Sequence, residues 1–114
     1  MSQGTEWHTS FKVEIAQARH ARQSGNEGMA RVCARRAVGI LLGEYLSQQG
    51  IPSGPSAYDR IRIFQNLPHL SPSVRLINDH FLLHVQTDRT LPGDIDLIAE
   101  AEWLESTIAN QRST

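Results

Sequence analysis

Apolar residues return at every third or fourth position along most of this chain, which is the spacing of a helix face rather than of a strand. Trp7, Phe11, Ile15 and Ala18 share one side of a first helix expected over Thr5–Ser24, with Lys12 and Arg19 off that side. Ser24-Gly25-Asn26 closes it with residue types that tolerate a left-handed cap. Asn26 then caps a second helix through its side-chain oxygen, and Glu27 places a negative charge where the helix dipole favours it. In this second segment, GNEGMARVCARRAVGILLGEYL (25–46), Ala30, Cys33, Ala34, Ala37 and Leu41 form one face, with Val38 and Tyr45 at its edge. Val32, Gly39, Leu42, Gly43 and Leu46 form the opposite side. A glycine inside a helix costs about 1 kcal/mol relative to alanine. Two of them four positions apart therefore predict a neighbour packed tightly against them, and two apolar sides predict a central helix.

The run GIPSGP (50–55) breaks the pattern. Ser56 and Asp59 resemble a capping pair for a short third helix over Ala57–Asn66, where Ile61 and Ile63 also leave strand alternation open. Ser71 and Pro72 start a fourth helix, whose core face is Val74, Ile77, Phe81 and Val85. Leu76 and Leu83 fall on its other side, seven residues apart, and predict a second apolar stripe best explained as a dimer seam. Thr90-Leu91-Pro92-Gly93 ends the segment, and Asp94 is the expected cap of a last helix with Leu97, Ala101, Leu104 and Ile108 in one seam. The expected architecture is all-α, an up-and-down bundle of four or five helices forming a single domain over 1–114, with fraying ends at about 1–5 and 110–114.

Composition changes this picture in few places. A chain of 114 residues with 39% hydrophobic and only 6% aromatic residues can build a core, though a second copy would help to cover it. One cysteine, Cys33, excludes an internal disulfide framework and fits a reducing setting. The start shows no secretory pattern and no run reaches membrane-spanning length, so a cytoplasmic protein is expected. Charge is unevenly spread: residues 1–62 carry eight basic against five acidic side chains, residues 63–114 three against seven. Ten of the eleven cations are arginine, whose planar fork suits carboxylate or phosphate. Basic and acidic helices of one bundle can neutralise each other, or the basic half can meet RNA or a nucleotide, with Arg31, Arg35 and Arg36 as the ligand-binding candidates.

Standard chemical signatures are absent. Gly25-Asn26-Glu27-Gly28 lacks the preceding strand and the lysine of a phosphate loop, and there is no CxxC or HExxH, so no cofactor or metal is expected. Cys33 sits among alanines and reads as a small buried hydrophobe. His80, His84 and Asp88 have a metal-compatible spacing of four but no fixed further ligand, and a partly buried His84 beside an exposed His80 is the simpler reading. Arg75 and His80, in RLINDH, combine a group that can neutralise phosphate with one that moves protons near neutral pH, which suffices for metal-independent RNA cleavage. The simpler alternative pairs Arg75 with Asp79 at i+4 and leaves His80 exposed.

The bundle order, the long second helix and R-x4-H on the penultimate long helix resemble the HEPN family over about Trp7–Ile108. The resemblance implies a helical bundle that commonly dimerises and often acts as a ribonuclease of toxin–antitoxin or defence systems, while other members partner a nucleotidyltransferase or have lost activity. It would make Arg75 a phosphate ligand and His80 an acid or base in a cleft shared by two subunits. The function expected is a dimeric binding or regulatory module for RNA, nucleotide or a partner protein. The alternatives are an endoribonuclease using Arg75 and His80, and a purely structural dimerisation module.

Overall fold

The computed structural model describes residues 3–83 and 95–113, with side chains over 6–83 and 95–109. It has five helices, α1 (Gln3–Gln23), α2 (Glu27–Gln48), α3 (Ala57–Gln65), α4 (Pro72–His80) and α5 (Leu97–Ser113), and no strand among the described residues. The local signals explain most boundaries. Gly25 takes φ +82°, and the Asn26 N–H reaches back to the Ala21 carbonyl at 2.8 Å, closing α1 in a glycine cap. Gly50, at φ +73°, closes α2 in the same way through the Ile51 N–H and the Leu46 carbonyl at 2.9 Å. Asn26, Ser56 and Ser71 cap α2, α3 and α4, accepting from the N–H groups of Met29, Asp59 and Val74 respectively. The Ile61/Ile63 alternation is resolved in favour of helix, with Ile61 buried and Ile63 half-buried.

Helix α2 is the centre, packed against α1, α3 and α5, while α4 bridges α3 and α5. Its small-residue face (Ala30, Ala34, Ala37) is wholly buried, together with Leu41, in one core that also holds Phe11, Ile15, Phe64, Val74, Phe81 and the α5 seam Leu97, Ala101, Leu104 and Ile108. The tight neighbour of the two glycines is the start of α3. A Cβ on Gly39 would lie 2.5 Å from the Ala57 Cβ, and one on Gly43 would lie 2.5 Å from the Arg60 guanidinium. Arg60 lies in this groove, donating from Nη1 to the Gly39 carbonyl at 3.1 Å and from Nε to the Gly54 carbonyl at 2.7 Å.

Two expectations are corrected. The fourth helix stops at His80, because the Phe81 and Leu82 N–H groups tighten onto the carbonyls of Asn78 and Asp79 (3.1 and 2.9 Å). Arg35 of α2 then takes the Phe81 and Leu83 carbonyls at 3.2 and 2.9 Å, fixing the chain beyond the helix. Leu83 therefore lies past the helix end, half-buried, and forms no helical stripe with Leu76, which is 60% exposed. At α5, Asp96 acts as the cap, its Oδ1 accepting from the Ile98 and Ala99 N–H groups at 3.1 and 3.3 Å. Val85, His84, Asp88, the 90–93 breaker and Asp94 lie outside the described residues. No helix among the described residues is long and apolar enough to cross a membrane.

Candidate functional site

The charge asymmetry of the chain is largely consumed inside the bundle. Helix α5 and its cap present four acids to their neighbours, and each one is engaged: Asp96 with Arg22 at 3.0 Å, Glu100 with His80 at 2.8 Å, Glu102 with Arg19, and Glu105 with His8 at 3.1 Å. Arg22 also grips Glu27 with both arms of its fork, at 3.0 and 2.8 Å, and so ties α1 to the starts of α2 and α5. The Glu27 contact chiefly raises the pKa of Arg22 against the opposing effect of burial, and Asp96 adds to it. Arg22 in turn lowers the pKa of Glu27. Burial pushes Asp96 upward, but the Ala99 N–H and Arg22 together hold it below its ordinary value.

This network carries a pH prediction. A carboxyl more acidic in the folded chain contributes stability that is complete above its unfolded pKa and is lost as pH falls through the folded one. The ordinary values for Glu27 and Asp96 are 4.5 and 3.8, so the contribution should drain away below those values. Arg22→Met should lose about 1 kcal/mol at neutral pH, since all three side chains are more than a third exposed. The difference between wild type and variant should shrink toward about pH 3. Urea unfolding of both proteins from pH 7 to 3 checks this; a constant difference would refute it.

Arg75 and His80 do not converge. Five residues apart on a helix, they point about 140° away from each other. Arg75 turns back to α3, donating to the Leu67 carbonyl at 2.9 Å and to the Gln65 carbonyl, where it satisfies acceptors left over at the α3 C-terminus. The i+4 pair with Asp79 is not the contact it makes. His80 faces the other way, with Nδ1 2.8 Å from Glu100 Oε1 and only 19% and 18% of the two side chains exposed. The contact through Nδ1 fixes the orientation of the imidazole and leaves Nε2 as the ring nitrogen not engaged by Glu100.

The three arginines of α2 do not all face one side of the helix, since Arg31 and Arg35 are neighbours at i and i+4 and Arg36 is turned away from them. Arg35 is directed at the end of α4 as described, and burial, helped by the nearby Arg31 charge, lowers its pKa. Arg36 is exposed on another side of the helix, close enough to Cys33 for its charge to act on the thiol. Cys33 is buried, and its thiol is pushed up by burial and then by the charge of Glu14. No group of three His, Cys, Asp or Glu among the described residues is arranged to hold a metal ion.

Three features escaped the sequence reading. Asn78 is fully buried, donating from Nδ2 to the Ile61 carbonyl at 3.1 Å and to Gln65 Oε1 at 2.9 Å, while its Oδ1 has no donor. Its spacing from Val74 (i−4) and Phe81 (i+3) was the available signal. Glu14 keeps Oε1 buried with no partner, for which the sequence held no sign. The third is the outer side of the α1–α2 hairpin, where Val13, Met29 and Val32 remain 49%, 43% and 40% exposed. Beside them Ala16, Gln17, His20 and Met29 edge a groove of about 490 Å³ with Cys33 in its wall.

No family model, curated protein or solved structure matches the chain.

Proposed function

We propose that this protein is an interaction module, a helical bundle that works by docking another polypeptide on the outer side of its α1–α2 hairpin. The observation that carries this is the exposed trio Val13, Met29 and Val32 beside a groove lined by no aspartate, glutamate, lysine or arginine. Surfaces depleted in charge and containing methionine are typical of the cores of protein interfaces. The arginine forks that would suit RNA or a nucleotide bind instead to helix-end carbonyls (Arg35, Arg75), to the α2 groove (Arg60) and to acids (Arg19, Arg22). The HEPN-like assignment, a cytoplasmic setting, and an antitoxin or nucleotidyltransferase as a partner belong to this same proposal, supported by the all-helical order with α2 at its centre.

The test is a titration of a labelled single-stranded RNA into the full chain at about 50 and 200 mM salt. Weak, salt-insensitive binding is expected. Affinity that falls steeply with salt would show several phosphate contacts and overturn the interaction-module reading.

A ribonuclease reading has one observation in its favour, the His80–Glu100 pair. Protein incubated with RNA and EDTA would then cleave, and His80→Ala would abolish cleavage. Wild-type protein that leaves RNA intact removes this reading.

A further inference from the structure

The end of α2 and the link from α3 to α4 leave a space between them that their side chains do not fill. Gly50 turns the chain back so that the Ile51 N–H reaches the Leu46 carbonyl at 2.9 Å, which fixes Ile51 beside the last turn of α2. On another wall, Arg75 holds the link in place by donating to the Leu67 carbonyl at 2.9 Å. Tyr45 stands edge-on to Phe64, with ring centres 5.5 Å apart and planes at 83°, so the core braces its ring. The result is a cavity of about 140 Å³, more enclosed than the groove beside Met29 and at the opposite end of α2.

Its walls combine two kinds of group. Ile51, Leu67, Leu70 and the buried Val74 make it apolar. Tyr45, Gln49 and His69 add a hydroxyl, a side-chain amide and an imidazole, none of them hydrogen-bonded to another described residue. No aspartate, glutamate, lysine or arginine lines it. A charged ligand would therefore lose its water without gaining an acidic side chain, a lysine or an arginine as counter-charge. Size narrows the choice further, because an apolar cavity of about 150 Å³ takes up a single benzene ring.

We propose that this cavity binds an uncharged single-ring aromatic compound carrying one hydroxyl group, a phenol. The ring packs on Leu67, Leu70 and Val74, and the ligand hydroxyl pairs with that of Tyr45. An apolar pocket with a few polar groups to orient the occupant is the usual form of a small-molecule site. Uptake here does not depend on what docks on the outer side of the hairpin.

Titration of phenol into the full chain, followed through its methyl resonances, tests this. The signals of Ile51, Leu67, Leu70 and Val74 should shift together and saturate with a Kd on the order of 1 mM, while those of Ala18 and Ile108 stay still. Benzoate, one ring with an ionised carboxylate, should bind about tenfold more weakly or worse. Tyr45→Phe keeps the ring against Phe64 and removes only the hydroxyl. It should weaken phenol about tenfold and leave benzene binding unchanged. No saturable shift up to about 10 mM phenol overturns the site. Shifts centred on Ala16 and Met29 overturn the choice of cavity, and benzoate binding as tightly as phenol overturns the uncharged class. A Tyr45→Phe variant that alters both ligands equally, or neither, overturns the hydroxyl contact.

Discussion

Asn78→Asp should remove a large part of the stability of this fold, about 3–5 kcal/mol at neutral pH. Asn78 is completely enclosed, and its amide nitrogen gives both of its hydrogen bonds to acceptors, the Ile61 carbonyl and Gln65 Oε1. An aspartate is nearly the same size but, when ionised, has nothing to donate. Gln65 can turn its amide round and donate to the new carboxylate, but the Ile61 carbonyl cannot, and an oxygen would still face an oxygen in a dry core. The buried acid would hold its proton more tightly than in the unfolded chain, so the deficit should grow as pH rises above about 4 and shrink below it. Urea unfolding of wild type and variant at pH 7 and pH 4 measures both effects. A loss under about 1 kcal/mol at pH 7 would mean that water reaches this position.

Gly39→Ala should be the most damaging single methyl group that can be added to α2. In an open helix the change would gain up to about 1 kcal/mol. Here the new Cβ would meet the Ala57 Cβ at 2.5 Å and its Cα at 2.9 Å, and the Cα is backbone that moves only if the start of α3 moves. Overpacking of this kind costs roughly 1–3 kcal/mol or more, and the gain in propensity only partly offsets it. Gly28→Ala supplies the control, since its nearest neighbour would be Asn26 Oδ1 at an ordinary 3.8 Å. That variant should be neutral or slightly stabilised. Gly43→Ala should fall between them, because what it displaces is the guanidinium of Arg60, the mobile end of a side chain held by the Gly39 and Gly54 carbonyls. Denaturation midpoints for the three variants give the order. Gly39→Ala at or above wild type would show that α3 gives way freely.

What could be read from the sequence divides according to the range of the interaction involved. The caps Asn26, Ser56 and Ser71 act on N–H groups three residues away, so their roles are visible in a short window. The core faces of α2 and α5 follow from periodicity, and the paired glycines announced a close neighbour without identifying it. The end of α4 could not be read in this way. FLLHV continues the apolar period, and what stops the helix is Arg35, more than 40 residues earlier in the chain. Asp94 and Asp96 are equally plausible caps locally, and Arg22 engages Asp96 from α1.

The contacts of the candidate site residues were illegible for the same reason. Arg75 had an acid at i+4 in Asp79, yet the open carbonyls of Gln65 and Leu67 are what it binds. His80 found its carboxylate on α5. Chemistry between helices is fixed by packing, and one sequence records that packing only as which faces are apolar.

The hairpin also has a kinetic meaning. Helices α1 and α2 are joined by a turn of only three residues, Ser24–Asn26, and share the most extensive packing in the molecule, so their docking closes a very short loop. Helix α5 meets α2 from far along the chain and must close a much longer one. The folding nucleus is therefore expected in the hairpin, with α5 joining after the rate-limiting step. Truncating Ala-rich contacts between α1 and α2 should slow folding, whereas Leu104→Ala on α5 should mainly hasten unfolding. Stopped-flow measurements on both arms of the denaturant dependence would separate the two.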